Sequence, residues 1–583
     1  MKKKQFLAVA LGSMMLFGTA AAGCGGNENE GRPDPSKTTV LKVMSHFGGI
    51  GNEWLYKAID RFEAAYADKV YAEGKKGVEF DPPVESPSVP THLATEGYHI
   101  YFTEQKDRAI VYAQNGTWMD LTDVVRAKNE TRNGEAISIE DKLAENMKSS
   151  IMIGDKYYAL PHYEYYGGLT YSVDVYEGIR NQEGAGSEQM LYLAKEDAAT
   201  ETTDYTSNKF GCTIRLVNDL EDKSCGPDGT FGTEDDGLPG SWAEFLTLME
   251  YQKEELAMMP MQLSGMYLNY SDLFMIGAWA QLAGDRMLTY FSMDGEIEVV
   301  YGESDENLFP GIDYIKKPLT KKVVVDDTVN TKAVFNMVER YYAQAILTII
   351  EREDFFTEVA RTETINHHDT QLHYLYSGFD DYTVSPYLME GSFWHNESKI
   401  VGNLASLSND YFYADYGEGR RYGWMSMPVT MYGTIEEGDE KAHGLTVIDQ
   451  AGAWCFANAK FENDPEISAA IKDFIAFLYS DAELSHFTAE TGLAKPFDYE
   501  LQQTDLEEIP YIYKNLWKQR EKGTVVYNGG TSQGYKDNSS SLMFTFSYSN
   551  FMASSGIFLE KLRDNAKTTL WDLFEATIKT YES

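Results

Sequence analysis

Four tyrosines, a histidine and a glutamate crowd into Tyr158-Ala-Leu-Pro-His-Tyr-Glu-Tyr-Tyr166. Such side chains offer flat apolar faces together with hydrogen-bonding edges, the chemistry of a surface that grips a ligand with both C–H faces and polar groups. The alternative is an aromatic core strand with no gap to line. Pro161 lacks a backbone donor, and Gly167-Gly168 follows the aromatic run. The expectation is therefore a strand that ends at Pro161, crosses open space as a hinge, and resumes at Leu169. A second candidate is the run from Asp222 to Gly237, in which carboxylates alternate with glycine turns. Oxygen ligands so spaced suit Ca²⁺ in a structural role, with Asp228, Asp235 and Asp236 as ligands and Asp222 and the Thr230 carbonyl as additions. No glutamate closes the loop at its twelfth position, so it is not an EF-hand, and a solvated acidic loop is the rival reading. The adjacent histidines His367-His368, in Asn366-His-His-Asp, read as a surface turn.

The elements that must position these groups belong to a long, acidic chain. At 583 residues it needs two or three domains, and its net charge of −41 repels nucleic acid and anionic lipid headgroups while favouring neutral or cationic ligands. The start has a secretory layout: Lys2-Lys-Lys4, an apolar run from Phe6 to Ala22, then Ala-Ala-Gly-Cys24. Its end resembles the lipobox of bacterial lipoproteins, which makes residues 1–23 a signal peptide, Cys24 the lipidated residue and residues 24–39 a polar linker. Ala21 stands where that motif usually has Leu. No later stretch is apolar and long enough to span a bilayer. Of the remaining cysteines, Cys212 and Cys225 could close a small loop, but free thiols are the favoured reading, with Cys455 buried.

Val40–Met44 reads as a strand, Gly48–Gly51 as a turn, and Asn52–Tyr66 as a helix with apolar residues at 54, 55, 58, 59, 62 and 66. The turn lacks the pattern of a phosphate-binding loop. His99–Phe102 is the next strand, and alternation of strands and helices favours a parallel sheet. Trp54 lies on the apolar stripe and is a core residue; Trp454 fits either a cleft wall or a sheet core.

Leu41-Lys-Val, the Trp54/Tyr56/Phe62/Tyr66 helix, Ile100-Tyr-Phe-Thr-Glu, Gly154-Asp-Lys-Tyr-Tyr-Ala-Leu-Pro161 and Leu169-Thr-Tyr-Ser-Val-Asp174 resemble the solute-binding proteins of carbohydrate ABC importers, the family that includes maltose-binding proteins. Pro239-Gly-Ser-Trp, Gly391-Ser-Phe-Trp394, Met425-Ser-Met-Pro428 and Thr491-Gly-Leu-Ala-Lys-Pro496 follow in the family's order. The resemblance implies an α/β, two-lobed fold of the type II periplasmic-binding-protein kind, with a ligand cleft between the lobes. Lobe 1 would comprise 40–165 and 446–505, and lobe 2 would comprise 166–445 and 506–583, with insertions at about 176–235 and 290–385. Crossings would fall near 163–168, 440–446 and 505.

It further implies ligand contacts. From lobe 1 come His46, Phe47, Phe102, Glu104 and Gln105; from the hinge, Tyr163, Glu164 and Tyr165; from lobe 2, Tyr267, Asn269, Tyr270, Asp272, Phe393 and Trp394. Trp394 stands where relatives stack a sugar, and the Gly-rich segment 527–535 is a further candidate to reach the cleft. The implied function is capture of a neutral oligosaccharide by a monomeric, lipid-anchored, extracytoplasmic protein that delivers it to permease subunits, without catalysis. The rivals are an extracellular glycan hydrolase, for which no HExxH or GxSxG motif occurs, and a receptor for peptides or another small solute.

Overall fold

The computed structural model describes residues 33–85, 97–103, 115–144, 147–148, 151–178, 189–266, 269–356, 365–378, 383–404, 420–449, 453–527, 570–571 and 575. The signal peptide, Cys24, Glu104, Gln105, Tyr267 and the 528–535 segment lie outside these residues, as does the side chain of Asn269.

Two sheets organise the chain. The first runs in the order Val84–Glu85, Val43–Ser45, Ile100–Thr103, Ala453–Ala457, Ala159–Tyr163. Its first three strands are parallel, as alternation predicts, but Ala453–Ala457 returns from far along the chain and runs antiparallel to both neighbours. Helices Glu53–Ala65, Pro465–Leu478 and Asp481–Thr491 supply apolar faces to this lobe, and Trp54, Phe62, Phe474 and Phe487 are buried in its core. Trp454, at 1% exposure, belongs to that sheet core and not to a cleft wall.

The second sheet has the order Met261–Gln262, Tyr387–Gly391, Gly167–Ser172, Tyr422–Trp424. Gly167–Ser172 is antiparallel to both of its neighbours. Helices Trp242–Glu254, Asn269–Ala283 and Val338–Arg352 contribute to a separate, larger core. Described residues of the segments 176–235 and 290–385 join that core, among them Leu191, Leu216, Ile297 and Tyr341. Thr203–Ser207 pairs with Cys212–Leu216, and Gly295–Asn307 pairs with Lys316–Val325. Cys212, Cys225 and Cys455 carry free thiols. Among the described residues no helix is long and apolar enough to cross a membrane.

The chain passes between the sheets at Glu164–Tyr166, and again between Thr446–Asp449 and Ala453–Ala457. Thr446–Asp449 pairs in parallel with Thr524–Tyr527 at this junction. Two details of the first crossing differ from expectation. The strand continues through Pro161 to Tyr163, because it is the edge of its sheet, where a missing N–H breaks no inner ladder. The second strand begins at Gly167, and its glycines serve close packing more than freedom of rotation. A Cβ on Gly167 would lie 2.2 Å from the Leu273 carbonyl oxygen, and one on Gly168 would lie 2.7 Å from the Trp424 ring.

Candidate functional site

Glu164 sits at the first crossing, and its carboxylate is fully committed to the protein. It accepts from Arg520 Nε and Nη2 at 2.9 and 2.8 Å, from Tyr527 OH at 3.0 Å, and from Tyr166 OH. Glu164 is 1% exposed. Burial opposes the Arg520 charge, but Glu164 beside it holds the guanidinium well above its ordinary pKa. Expected as a ligand contact, Glu164 has oxygens that lock the helix Tyr511–Lys522 to the hinge.

Trp394, expected to stack a ligand, is likewise held by the protein. It is buried, its Nε1 donates to Thr170 Oγ1 at 2.8 Å, and its ring meets Tyr374 and Tyr422 edge-on at 5.7 and 5.3 Å. It anchors the helix Trp394–Ile400 to the second sheet and leaves no face for stacking. Phe102 is likewise core, against Trp54 at 5.2 Å and His162 at 4.6 Å. Its strand is an inner one covered on both faces, so each of its four residues is buried.

What the structure does bring together is a junction of both lobes. Phe393, half-buried, meets Tyr165 edge-on at 5.3 Å, and Tyr165 in turn lies 6.3 Å from the largely buried Tyr163. Gly49 of the first loop faces Phe393, with an added Cβ 3.8 Å from its ring. His46 and Phe47 belong to the same loop; the His46 ring folds over Gly48. From the second lobe Asn396 Nδ2 donates to the Gly49 carbonyl at 3.3 Å, and Lys399 pairs with Glu53 at 3.7 Å. Aromatic faces, a histidine and an amide thus meet where the two lobes touch.

Tyr270 is placed differently, stacked on His367 with ring centroids 5.7 Å apart. Asp272 follows it, buried, on the helix Asn269–Ala283. Sequence reasoning missed Gln371 and Glu390. Gln371 Nε2 donates to Glu390 Oε2 at 2.9 Å, and burial, with Glu397 nearby, raises the Glu390 carboxyl well above its usual range. Residues so far apart carry no local spacing signal.

Lys495 was also missed as a special group. It is 1% exposed, with Nζ 4.4 Å from the Phe487 ring, 4.6 Å from Tyr479 and 5.7 Å from Trp54. Burial pushes its ammonium down to about 7. His162 beside it is a buried core histidine, and burial lowers its pKa well below the ordinary value.

In the acidic loop, Asp235 Oδ2 accepts from Asp228 N at 3.1 Å and its Oδ1 from Thr233 Oγ1 at 2.7 Å. Asp228 Oδ1 accepts from Thr230 N at 2.7 Å, and Asp236 Oδ2 from Gly232 N at 2.8 Å. Burial, and then Asp228, raise the Asp235 carboxyl to about 7. Asp222 stands apart: it accepts from Ala199 N, Thr200 N and Thr200 Oγ1 at 3.0, 2.8 and 2.7 Å, and those bonds hold its carboxyl far below the usual range. It pins residues 199–200. Glu234 ties the loop to the helix Tyr511–Lys522, accepting from Lys518 Nζ at 2.7 Å and Asn515 Nδ2 at 3.3 Å.

The chain is thus built on two mixed sheets, with segments passing between them and polar and aromatic groups at their junction. No family model matches the chain, and no curated protein matches it. Solved structures similar to it include a chitin oligosaccharide binding protein, 12% identical, with a TM-score of 0.49 over 94% of this chain and 98% of that one. A maltotriose binding protein of Thermus thermophilus bound with maltotriose is 12% identical, with a TM-score of 0.44 over 93% and 100%. RafE in complex with raffinose is 11% identical, with a TM-score of 0.47 over 94% and 100%.

Proposed function

We propose that this protein is the extracytoplasmic substrate-binding component of an ABC importer, which captures a neutral oligosaccharide between its lobes and delivers it to membrane permease subunits. The observation that carries the reading is the junction of Phe393, Tyr165 and the His46–Gly49 loop, drawn from both lobes beside the Glu164 crossing. Sugar rings stack on aromatic faces and present hydroxyls to in-plane partners, and contacts from two lobes are complete only when the lobes close. Ligand binding then shifts the open-to-closed population. Cys24 would tether the mature chain by lipid, and the protein would act as a monomer. Ca²⁺ would bind Asp228, Asp235 and Asp236, whose adjacent carboxylates supply hard oxygen donors, and would stiffen their loop.

The test is thermal unfolding of the mature chain against a panel of oligosaccharides, with products analysed for hydrolysis. A ligand that binds only the folded state raises the midpoint as it saturates. A selective rise with one glycan class and no hydrolysis is expected. No rise across the panel, or turnover of the glycan, would overturn the reading.

A further inference from the structure

The histidine pair read as a surface turn opens a helix instead. Asn366 caps it, its side chain accepting from Asp369 N at 2.9 Å, and His367–Leu375 follows. The two imidazoles lie with centroids 3.9 Å apart. Both Nε2 atoms converge on one oxygen of a distant residue, Glu397 Oε1, at 3.2 Å from His367 and 3.7 Å from His368. All three ligand atoms lie within 4.8 Å of one another.

These separations have a chemical meaning. A tetrahedral Zn²⁺ with bonds of about 2.0–2.1 Å holds its ligand atoms about 3.3–3.4 Å apart. The observed 3.2 and 3.7 Å bracket that distance. A single histidine–carboxylate ion pair would use one ring, whereas here two rings address the same oxygen. The carboxylate is also oriented from behind. Gln371 Nε2 donates to its other oxygen, Oε2, at 2.7 Å, and Ser398 Oγ donates to Gln371 Oε1 at 2.8 Å. Outer hydrogen bonds of this kind leave one oxygen directed at the site and fix its position. The His367 ring is further supported by the face of Tyr270. Two imidazoles and one carboxylate form a donor set suited to Zn²⁺, unlike the all-oxygen acidic loop.

We propose that His367, His368 and Glu397 form a Zn²⁺ site on the second lobe. The site joins two helices, His367–Leu375 and Trp394–Ile400, and the second of these carries Asn396 and Lys399 to the first lobe. Bound zinc fixes the helix that meets the first loop, so metal occupancy and lobe closure are linked.

Metal-free mature protein, prepared with EDTA and dialysed, is titrated with Zn²⁺ by calorimetry and with Co²⁺ by visible absorption. One equivalent of Zn²⁺ and a tetrahedral Co²⁺ spectrum are expected. His367→Ala and His368→Ala each weaken Zn²⁺ by about 100-fold or more, and Gln371→Ala by about 10–100-fold through the carboxylate it holds. His368→Gln, at a half-exposed position, gives a folded variant if the alanines do not. Absence of Zn²⁺ binding, or a stoichiometric site unchanged in both histidine variants, would overturn the proposal.

Discussion

Glu164→Gln is the sharpest probe of the hinge. The amide is nearly isosteric, and its single oxygen accepts from only one of Tyr166 and Tyr527, which address different oxygens of the carboxylate. The change thus removes the charge while keeping the shape. It leaves the Arg520 guanidinium, which made two hydrogen bonds to that carboxylate, without its anion in a nearly water-free site. Removing one partner of a buried pair costs about 3–5 kcal/mol, far above the ~0–1 kcal/mol of an exposed pair. Replacing both with apolar groups of similar volume, Glu164→Leu with Arg520→Met, removes the stranded charge and recovers most of the loss. Urea unfolding followed by tryptophan fluorescence reads the difference as the slope times the shift in midpoint. Oligosaccharide affinity, measured in parallel, is expected to change less than about threefold, because no oxygen of Glu164 is left for a ligand. A stability loss under about 1 kcal/mol, or a large affinity loss at unchanged stability, would refute the assignment of Glu164 as a lock.

Phe393→Ala should weaken sugar binding by roughly tenfold, the worth of one stacking face, with little loss of stability. Trp394→Ala should instead cost about 3–5 kcal/mol on unfolding, as expected for a buried Trp. Lys495 has a folded pKa lowered to about 7, so the unfolded chain binds its proton between pH 7 and about 10.5, and stability rises with pH across that window. Lys495→Met should therefore add about 3–5 kcal/mol below pH 7 and nearly nothing above pH 10; equal effects at both would sink the account. Cys455, Tyr479 and His162 share that environment, so the slope is read as wild type minus variant. Asp235 runs oppositely: with its folded pKa raised to about 7, its contribution is present at pH 4 and lost as pH rises through 7. Ca²⁺ at pH 8 should restore the unfolding midpoint, an effect absent from Asp235→Asn, and a midpoint unmoved by Ca²⁺ would remove calcium from the loop.

The first helix, the early strands and the passage at Glu164–Tyr166 were legible because their signals are local: an apolar stripe at helical spacing from Trp54 to Tyr66, short apolar strands, and an aromatic run ended by glycines. The antiparallel return of Ala453–Ala457 was not, since strand direction in a sheet is set by the path of the whole chain. Phe393 and Trp394 show how little adjacency says about role. They are consecutive, yet one faces the other lobe and the other donates to Thr170 inside its own. Asp222 and Asp228 are six positions apart and hold different segments. Glu397 lies 30 positions from His367, beyond the reach of any spacing rule.

The helix Tyr511–Lys522 grips both halves of the molecule. Arg520 holds Glu164, Asn515 Oδ1 accepts from Trp424 N at 2.8 Å, Gln519 Nε2 donates to the Trp424 carbonyl at 2.8 Å, and Lys518 and Asn515 hold Glu234. On the proposed function, in which the lobes close on a ligand, it stands to them as the pin of a pair of tongs stands to the jaws. Displacement is then smallest beside Arg520 and grows with distance along each arm, so the rim gains or loses contacts first. A small rotation about this pin is geared into a long stroke at the mouth, and a ligand seated near Phe393 feels the grip before the pin region has moved appreciably.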